Sequence, residues 1–271
     1  MKGQSMDVLA IRSIFDTYQR KIDHDPQSEQ IVLDHLTRLV WHEHHAGMVS
    51  YSDLTAGNAD AAIVAEIDYF RGLNYSFEWK LFSYDTPNDL AKRLSAHGLI
   101  QSEEEAVMVL PIAAAPDTLL ADVTLDIRKA TTDQHFYDMD QVFYEVWKDD
   151  PFTEATPTRM SDWLLPRYQS HPQSLDVYVV YVDERPVSYG RVEYAEGNPF
   201  ASIWGGSTLA DYRRQGIYTQ LVAQRLQAAK ARGCTYLTVD ARQDTSMPIL
   251  EKLGFVKIAI ATAFNWSPAS T

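Results

Sequence analysis

The stretch from Gly205 to Arg232 constrains the fold more than any other part of the chain. An apolar, strand-like run ends at Trp204-Gly205-Gly206-Ser207-Thr208, and a tight turn follows around Arg213, Arg214 and Gly216. Ile217, Leu221, Val222, Leu226 and Ala229 then recur at helical spacing, which predicts a helix with one buried face. Gly216 stands where the chain bends sharply and where a ligand could approach bare backbone. A helix opening there leaves its first amide N–H groups unpaired at the positive end of the dipole. Two arginines stand beside them, and no acidic residue occurs from Arg213 to Arg232 in a chain of formal net charge -13. A positive island in so negative a molecule points to an anion, a phosphate or pyrophosphate.

The run Arg213-Arg214-Gln215-Gly216-Ile217-Tyr218 resembles the Q/R-x-x-G-x-G/A loop of the GNAT N-acetyltransferases, which cradles the pyrophosphate of acetyl-CoA. Arg213 and Gly216 match, while Tyr218 stands where a small residue is usual. Downstream, Pro248-Ile249-Leu250-Glu251-Lys252-Leu253-Gly254-Phe255 resembles the family's second signature, a short helix ending in Gly-Phe. The resemblance runs from about Val123 to Trp266. It implies a mixed α/β (α+β) fold, with a mostly antiparallel GNAT sheet flanked by helices.

Composition bounds the remaining possibilities. With 271 residues the chain is long enough for one large or two small domains. Its 45% apolar and 23% charged content is that of an ordinary globular protein. No apolar run reaches membrane-spanning length, and the first residues lack a signal peptide's apolar stretch. A single cysteine, Cys234, fits a reducing cytoplasm. The acidity argues against nucleic acid or an anionic membrane as the main partner. The oligomeric state is left open, a homodimer included.

In chain order, a helix is expected over residues 8–22, strands near 37–42 and 48–54, a helix over 59–70 and a strand over 77–82. A short helix over 88–96 and a strand near 106–110 close a first half. The run Ala113-Ala114-Ala115-Pro116-Asp117 reads as a linker. The second half restarts with a strand at 123–128 and helices at 134–147 and 159–169. A meander follows over 175–182, 187–194 and 200–208. After the opening stretch come a strand (236–240), a helix (246–253) and a last strand (256–265). The segment Tyr84 to Leu99 has the rhythm of Val239 to Phe255, a weak internal repeat. The first half lacks an Arg-x-x-Gly turn: Thr55-Ala56-Gly57-Asn58-Ala59-Asp60 carries no cation. The expected organisation is a smaller degenerate GNAT-like domain (1–115), a linker (116–121) and an acetyl-CoA-binding GNAT domain (122–271). An unrelated α+β accessory domain is the alternative for the first half.

Carried over position by position, the resemblance implies a cofactor site. Gly206, Ser207 and Thr208 would pair with the pantetheine arm like an extra strand. Arg214, Gln215, Gly216, Ile217, Tyr218 and Thr219 would offer amides to the pyrophosphate, with Arg213 or Arg214 adding charge. The Thr219 hydroxyl either binds phosphate or bonds back to the turn. Acetyl transfer to an amine also needs a free lone pair, and deprotonating an amine of pKa about 10.4 at pH 7 costs about 4 to 5 kcal/mol. Glu193 and Asp240, carboxylates at strand ends, are the base candidates, with a solvated turn residue and a helix cap as their ordinary roles. The tyrosine often found in the second signature as general acid is replaced by Leu250, and an upstream asparagine by Gln243. No metal is implied. His42-Glu43-His44-His45 lacks ligand spacing and reads as a polar loop. Trp147, Phe152, Trp163 and Tyr168 either pack the core or wall an acceptor pocket suited to an apolar or cationic group.

The reading is an acetyl-CoA-dependent N-acetyltransferase acting on a small-molecule or peptide amine by direct attack in a ternary complex. Nothing places Cys234 at the site as a nucleophile. A non-catalytic acyl-CoA-binding or regulatory module is the alternative, and a phosphate-binding protein without coenzyme A needs only the Arg213 to Gly216 turn.

Overall fold

The structure is a computed structural model and describes residues 7–22, 25, 27–149 and 159–268. Among the described residues eleven strands occur in chain order: β1 (Glu29–Val32), β2 (Leu36–Trp41), β3 (Ala46–Ser52), β4 (Ser76–Phe82), β5 (Ile100–Pro111), β6 (Asp126–Lys129), β7 (Leu175–Val182), β8 (Arg185–Tyr194), β9 (Phe200–Thr208), β10 (Tyr236–Arg242) and β11 (Val256–Trp266). Among the described residues the α-helices are α1 (Val8–Phe15), α2 (Ala59–Leu73), α3 (Leu90–Ala96), α4 (Asp117–Leu120), α5 (Asp133–Trp147), α6 (Met160–Ser170), α7 (Ile217–Ala231) and α8 (Ser246–Lys252). The chain divides into two compact units. One takes the residues up to Met108 with Asp240–Pro248 and the segment from Lys257; the other takes Val109–Val239 and Ile249–Val256. Two C-terminal segments are thus counted with the N-terminal residues, and α4 lies inside the stretch expected to be a linker.

In the first unit, β1, β2 and β3 form an antiparallel run and β3 pairs with β4 in parallel. Parallel neighbours need a crossover, and α2 provides it. The last strand, β11, lies antiparallel to β4, with Phe264 opposite Trp79 and Ala261 opposite Phe82. Ile63 and Phe70 of α2 and Leu90 and Leu94 of α3 pack with Val40, Val49, Trp79 and Phe264 into a core of fully buried side chains. Asp7 caps α1, its Oδ1 accepting from the amides of Leu9 and Ala10 at 3.1 and 3.2 Å. The helix expected over 8–22 ends at Phe15, and a π-helical turn continues to Arg20. Arg20 is what that turn positions: it is 2% exposed and its terminal nitrogens pair with Asp16 and Asp85 at 2.9 and 2.8 Å. The four-residue strand β1 was not expected, and β5 starts at Ile100 rather than near 106, through the exposed polar run Gln101-Ser102-Glu103-Glu104.

In the second unit, β7 to β9 form the expected antiparallel meander, and β6 adds to it antiparallel to β7. Residues 175–181 of β7 are buried almost throughout, which matches their Val- and Tyr-rich composition. Asp183 and Glu184 join β7 to β8 with φ of 49 and 60°, the two positive angles of a type I′ hairpin turn. α7 then carries the chain to β10, parallel to β9. Its face of Ile217, Leu221, Val222, Leu226 and Ala229 is buried, and Cys234 donates its amide to Ala229 O at 3.1 Å beyond Gly233 (φ 79°).

One buried ion pair tests the first unit. The Arg38 guanidinium grips Glu66 through two bonds of 2.7 and 2.6 Å, with Arg38 6% and Glu66 1% exposed, and it lies 3.6 Å from the Tyr69 ring centroid. Glu66→Ala would strand a buried cation, so a loss of about 3–5 kcal/mol is expected in urea unfolding, whereas the double change Arg38→Met with Glu66→Leu should cost much less.

Candidate functional site

The site begins where β9 leaves its parallel partner. β9 and β10 pair over Phe200↔Tyr236, Ala201↔Leu237 and Ser202↔Thr238, and the ladder between them stops there. β9 runs on to Thr208, so its later residues present an unshared edge on the β10 side. On its other side β9 stays paired with β8, through a bulge: Gly190 faces Gly205, Tyr189 faces Ser207, and Gly206 is the extra residue. Gly205 and Gly206 both take left-handed φ, 70 and 88°. A Cβ on Gly206 would lie 2.7 Å from Cε2 of Tyr218, so glycine there is what lets the Tyr218 ring lie against the strand. Ser188 Oγ donates to Ser207 O at 2.8 Å and shares a 2.9 Å bond with Thr208 Oγ1, while Trp147 Nε1 donates to Ser207 Oγ at 3.0 Å.

The turn after β9 is tied to the strand. Arg213 Nε donates to Thr208 O at 2.9 Å and Gln215 Nε2 to Asp211 O at 3.0 Å. Arg214 is exposed and held at φ 61°, with Gly216 at φ 79° as the N-cap of α7. No side chain caps this helix and its first turn holds no acid. A Cβ added to Gly216 would meet nothing within 4 Å, so the space before the helix start is open. Ile217 is 3% exposed and turns its side chain inward, so only its amide faces the turn. The Thr219 hydroxyl makes no bond back to the turn among the described residues. The structure therefore brings Gly206, Ser207, Thr208, Arg213, Arg214, Gln215, Gly216, Ile217, Tyr218 and Thr219 together at one end of β9.

Beneath them lies a residue that sequence reading missed. Arg225 of α7 is 1% exposed; its Nε donates to Leu221 O at 3.1 Å and its Nη1 approaches Trp204 O and Arg191 O at 3.3 and 3.4 Å. Its Nη2 is buried without a partner, and it has no carboxylate. Burial pulls the guanidinium below its ordinary value, and burial pushes the neighbouring Tyr218 phenol up, against the pull of Arg225. The signal was present: Arg225 falls four residues after Leu221 and four before Ala229, on the apolar stripe of α7.

The base candidates have different settings. Glu193 of β8 accepts from Arg191 Nε at 2.7 Å and from Arg167 Nη1 of α6 at 3.0 Å. Asp240 belongs to the first unit, where its Oδ2 accepts from Lys80 and Glu78 and Glu105 lie close by. Burial lifts the carboxyls of Glu78 and Glu105 above the usual range. The structure thus places Glu193, and not Asp240, in the same unit as the glycine turn. Leu250 is fully buried, and Gln243 Nε2 reaches Glu104 O at 3.4 Å. Cys234 sits half-buried at the far end of α7, its thiol pushed up by burial. Of the aromatic set, Trp163 lies between Arg191 and Arg167, Tyr168 packs on Phe136 with centroids 5.4 Å apart, and Phe152 lies outside the described residues. His42 pairs with Glu29 at 2.8 Å and His45 stacks on Tyr75, and no group of side chains suited to a metal ion occurs among the described residues. No helix among them is long and apolar enough to cross a membrane.

Comparison with known proteins agrees with this architecture. Residues 134–255 match the Acetyltransferase (GNAT) family. No curated protein matches the chain in sequence. Among solved structures, the fold is similar to that of a GCN5-related N-acetyltransferase from Kribbella flavida, with 16% identity, a TM-score of 0.67 and coverage of 97% of this chain and 96% of that one. A functionally unknown conserved protein from Staphylococcus epidermidis is similar at 14% identity and a TM-score of 0.66, covering 91% and 96%. A tandem GNAT protein from the clavulanic acid biosynthesis pathway is similar at 12% identity and a TM-score of 0.58, covering 87% and 79%. Residues 134–255 thus carry a GNAT acetyltransferase domain, and along the rest of its length the chain shares its fold with such proteins, a tandem GNAT protein among them.

Proposed function

We propose that the chain is an acetyl-CoA-dependent N-acetyltransferase that passes an acetyl group to an amine by direct attack in a ternary complex. Residues 122–271 would form the cofactor-binding domain, and a cytoplasmic setting suits the single cysteine. One observation carries the reading: β9 parts from β10 after three pairs, and the uncapped start of α7 stands at the same end of β9. The free edge of β9 through Gly206, Ser207 and Thr208 suits an arm of amide groups laid alongside it. The amides of Ile217, Tyr218 and Thr219, with Arg214 and the terminal nitrogens of Arg213, suit a diphosphate. Acetyl-CoA, when bound, supplies an acyl group activated as a thioester.

The chain's own residues then have three tasks. Backbone N–H groups of the parted strand polarise the acyl carbonyl oxygen. Glu193 takes a proton from the acceptor ammonium, using lone pairs that its two arginines leave open. Asp240 is the second choice, since Lys80 already holds its Oδ2. The leaving sulfur, without a phenol at the Leu250 position, takes its proton from solvent. A non-catalytic acyl-CoA-binding module is the second reading, favoured by that same buried Leu250 and by the engagement of both Glu193 oxygens.

Two measurements decide. Calorimetric titration of the Arg214→Glu, Gly216→Val double variant with coenzyme A should show affinity at least about 10-fold below the parent, with thermal unfolding retained. Parent-like affinity would refute the diphosphate site, and parent protein stabilised as well by free pyrophosphate as by coenzyme A would point to a plain phosphate binder. Thiol release from acetyl-CoA across a panel of amines separates enzyme from binder. For an acceptor that is turned over, Glu193→Gln should lower kcat by about 10²- to 10⁴-fold; silence on every acceptor supports the binding module.

A further inference from the structure

Two arginines and one glutamate share the face of the second unit's sheet that turns away from α7. Successive residues of β8 point to opposite faces. Gly190 turns toward α7, where a Cβ would lie 3.0 Å from the Arg225 guanidinium and 3.1 Å from Leu221. Arg191 and Glu193 therefore share a face that is not the same as that of Val192, and α6 adds Trp163 and Arg167, one turn apart. Glu193 bridges the pair through the bonds of 2.7 and 3.0 Å given above. The Arg191 guanidinium carbon lies 5.3 Å from the Trp163 ring centroid and 5.7 Å from that of Trp204, and that of Arg167 lies 5.7 Å from Trp163.

The charges do not cancel. Two guanidiniums face one carboxylate, and their side chains are only 13% and 5% exposed for Arg191 and Arg167. Arg167 Nε is buried with no acceptor among the described residues. Arg191 spends Nε on Glu193 and points Nη1 at Met160 Sδ at 3.6 Å, while its Nη2 has no acceptor among the described residues. Asp140 of α5 bonds to Ser161 rather than to either arginine. A buried cation in excess is costly unless a counter-charge reaches it. Ser202, opposite Glu193 on β9, is also the last residue paired with β10, so the surplus sits one strand from the point where the ladder opens.

We propose that this cluster selects an acceptor whose amine and carboxylate share one carbon, a free α-amino acid with an apolar or aromatic side chain. The inference rests on the acetyl-transfer reading and names its acceptor. The carboxylate takes the unpaired Nη2 edge of Arg191, the ammonium meets the open lone pairs of Glu193, and the side chain lies against Trp163 and Trp204. In the transfer, the nitrogen gives a proton to Glu193 and bonds to the acyl carbon of acetyl-CoA. The carbon–sulfur bond breaks, and the sulfur keeps the electron pair and takes a proton from solvent. A peptide N-terminus or a polyamine lacks the adjacent carboxylate and leaves the arginine unpaired.

The test pairs each of the standard amino acids with its carboxamide. Thiol release from acetyl-CoA should favour the acid over the amide by about 10- to 100-fold in kcat/KM for at least one apolar or aromatic pair. Arg191→Gln, verified by thermal unfolding and coenzyme A affinity, should shrink that ratio to about 3-fold or less, mostly through KM. Amides used as well as acids throughout, or a ratio untouched by Arg191→Gln, would overturn the proposal while leaving acetyl transfer standing. If no acceptor releases thiol, the catalytic reading fails, and calorimetry of the N-acetyl amino acids against their amides on the coenzyme A-bound protein still decides the subsite. Tighter binding of the acids supports it, and equal or absent binding refutes it.

Discussion

A parallel strand pair that stops pairing part-way leaves backbone groups that must find partners elsewhere, because unsatisfied amides and carbonyls are costly once removed from water. β9 and β10 are such a pair, joined over three residues and then apart. The free edge on β9 and the uncapped first turn of α7 are two sets of unspent donors, and the glycine at φ 79° sets them at one end of the strand. Gly206 of the bulge lets the Tyr218 ring lie against the strand. The candidate site is thus made largely of main chain, and side chains refine it.

Charge is handled differently on the two faces of the second unit's sheet. Under α7, Arg225 is buried against three carbonyl oxygens and no carboxylate. On the opposite face Arg167 and Arg191 divide one carboxylate. Buried cations favour the approach of negative charge and raise the cost of an acceptor that brings only more positive charge. The formal charge of -13 suggests a cationic acceptor for the molecule as a whole, but short-range fields within a low-dielectric site outweigh the screened charge of a distant surface.

Much of the fold could be read from local pattern. The helical stripe of α7, the β-branched meander and the glycine turn each depend on residues close in sequence, where periodicity is a direct physical signal. Elements that broke the pattern were the ones misread. β1 is a four-residue strand with no fully buried position, and the first half of β5 is mostly polar and exposed, so neither shows apolar alternation. The end of α1 at Phe15 follows from Arg20 reaching Asp85, a partner 65 residues away. The same limit governs the site. The turn at Arg213–Gly216 is local and legible, whereas the bond between Arg167 and Glu193 joins a helix to a strand across 26 positions.

The placement of β11 bears on how the protein is made. Its residues from Lys257 onward complete the first unit beside β4, so Trp79 waits for Phe264 before its core closes. On the ribosome, a chain emerging from its N-terminus holds that core unfinished until nearly all of the described sequence has been synthesised. Pairings between such distant segments pay the loop-closure entropy late and fold slowly. The open flank of β4 is meanwhile a free strand edge, the kind of surface that invites mispairing with another nascent chain.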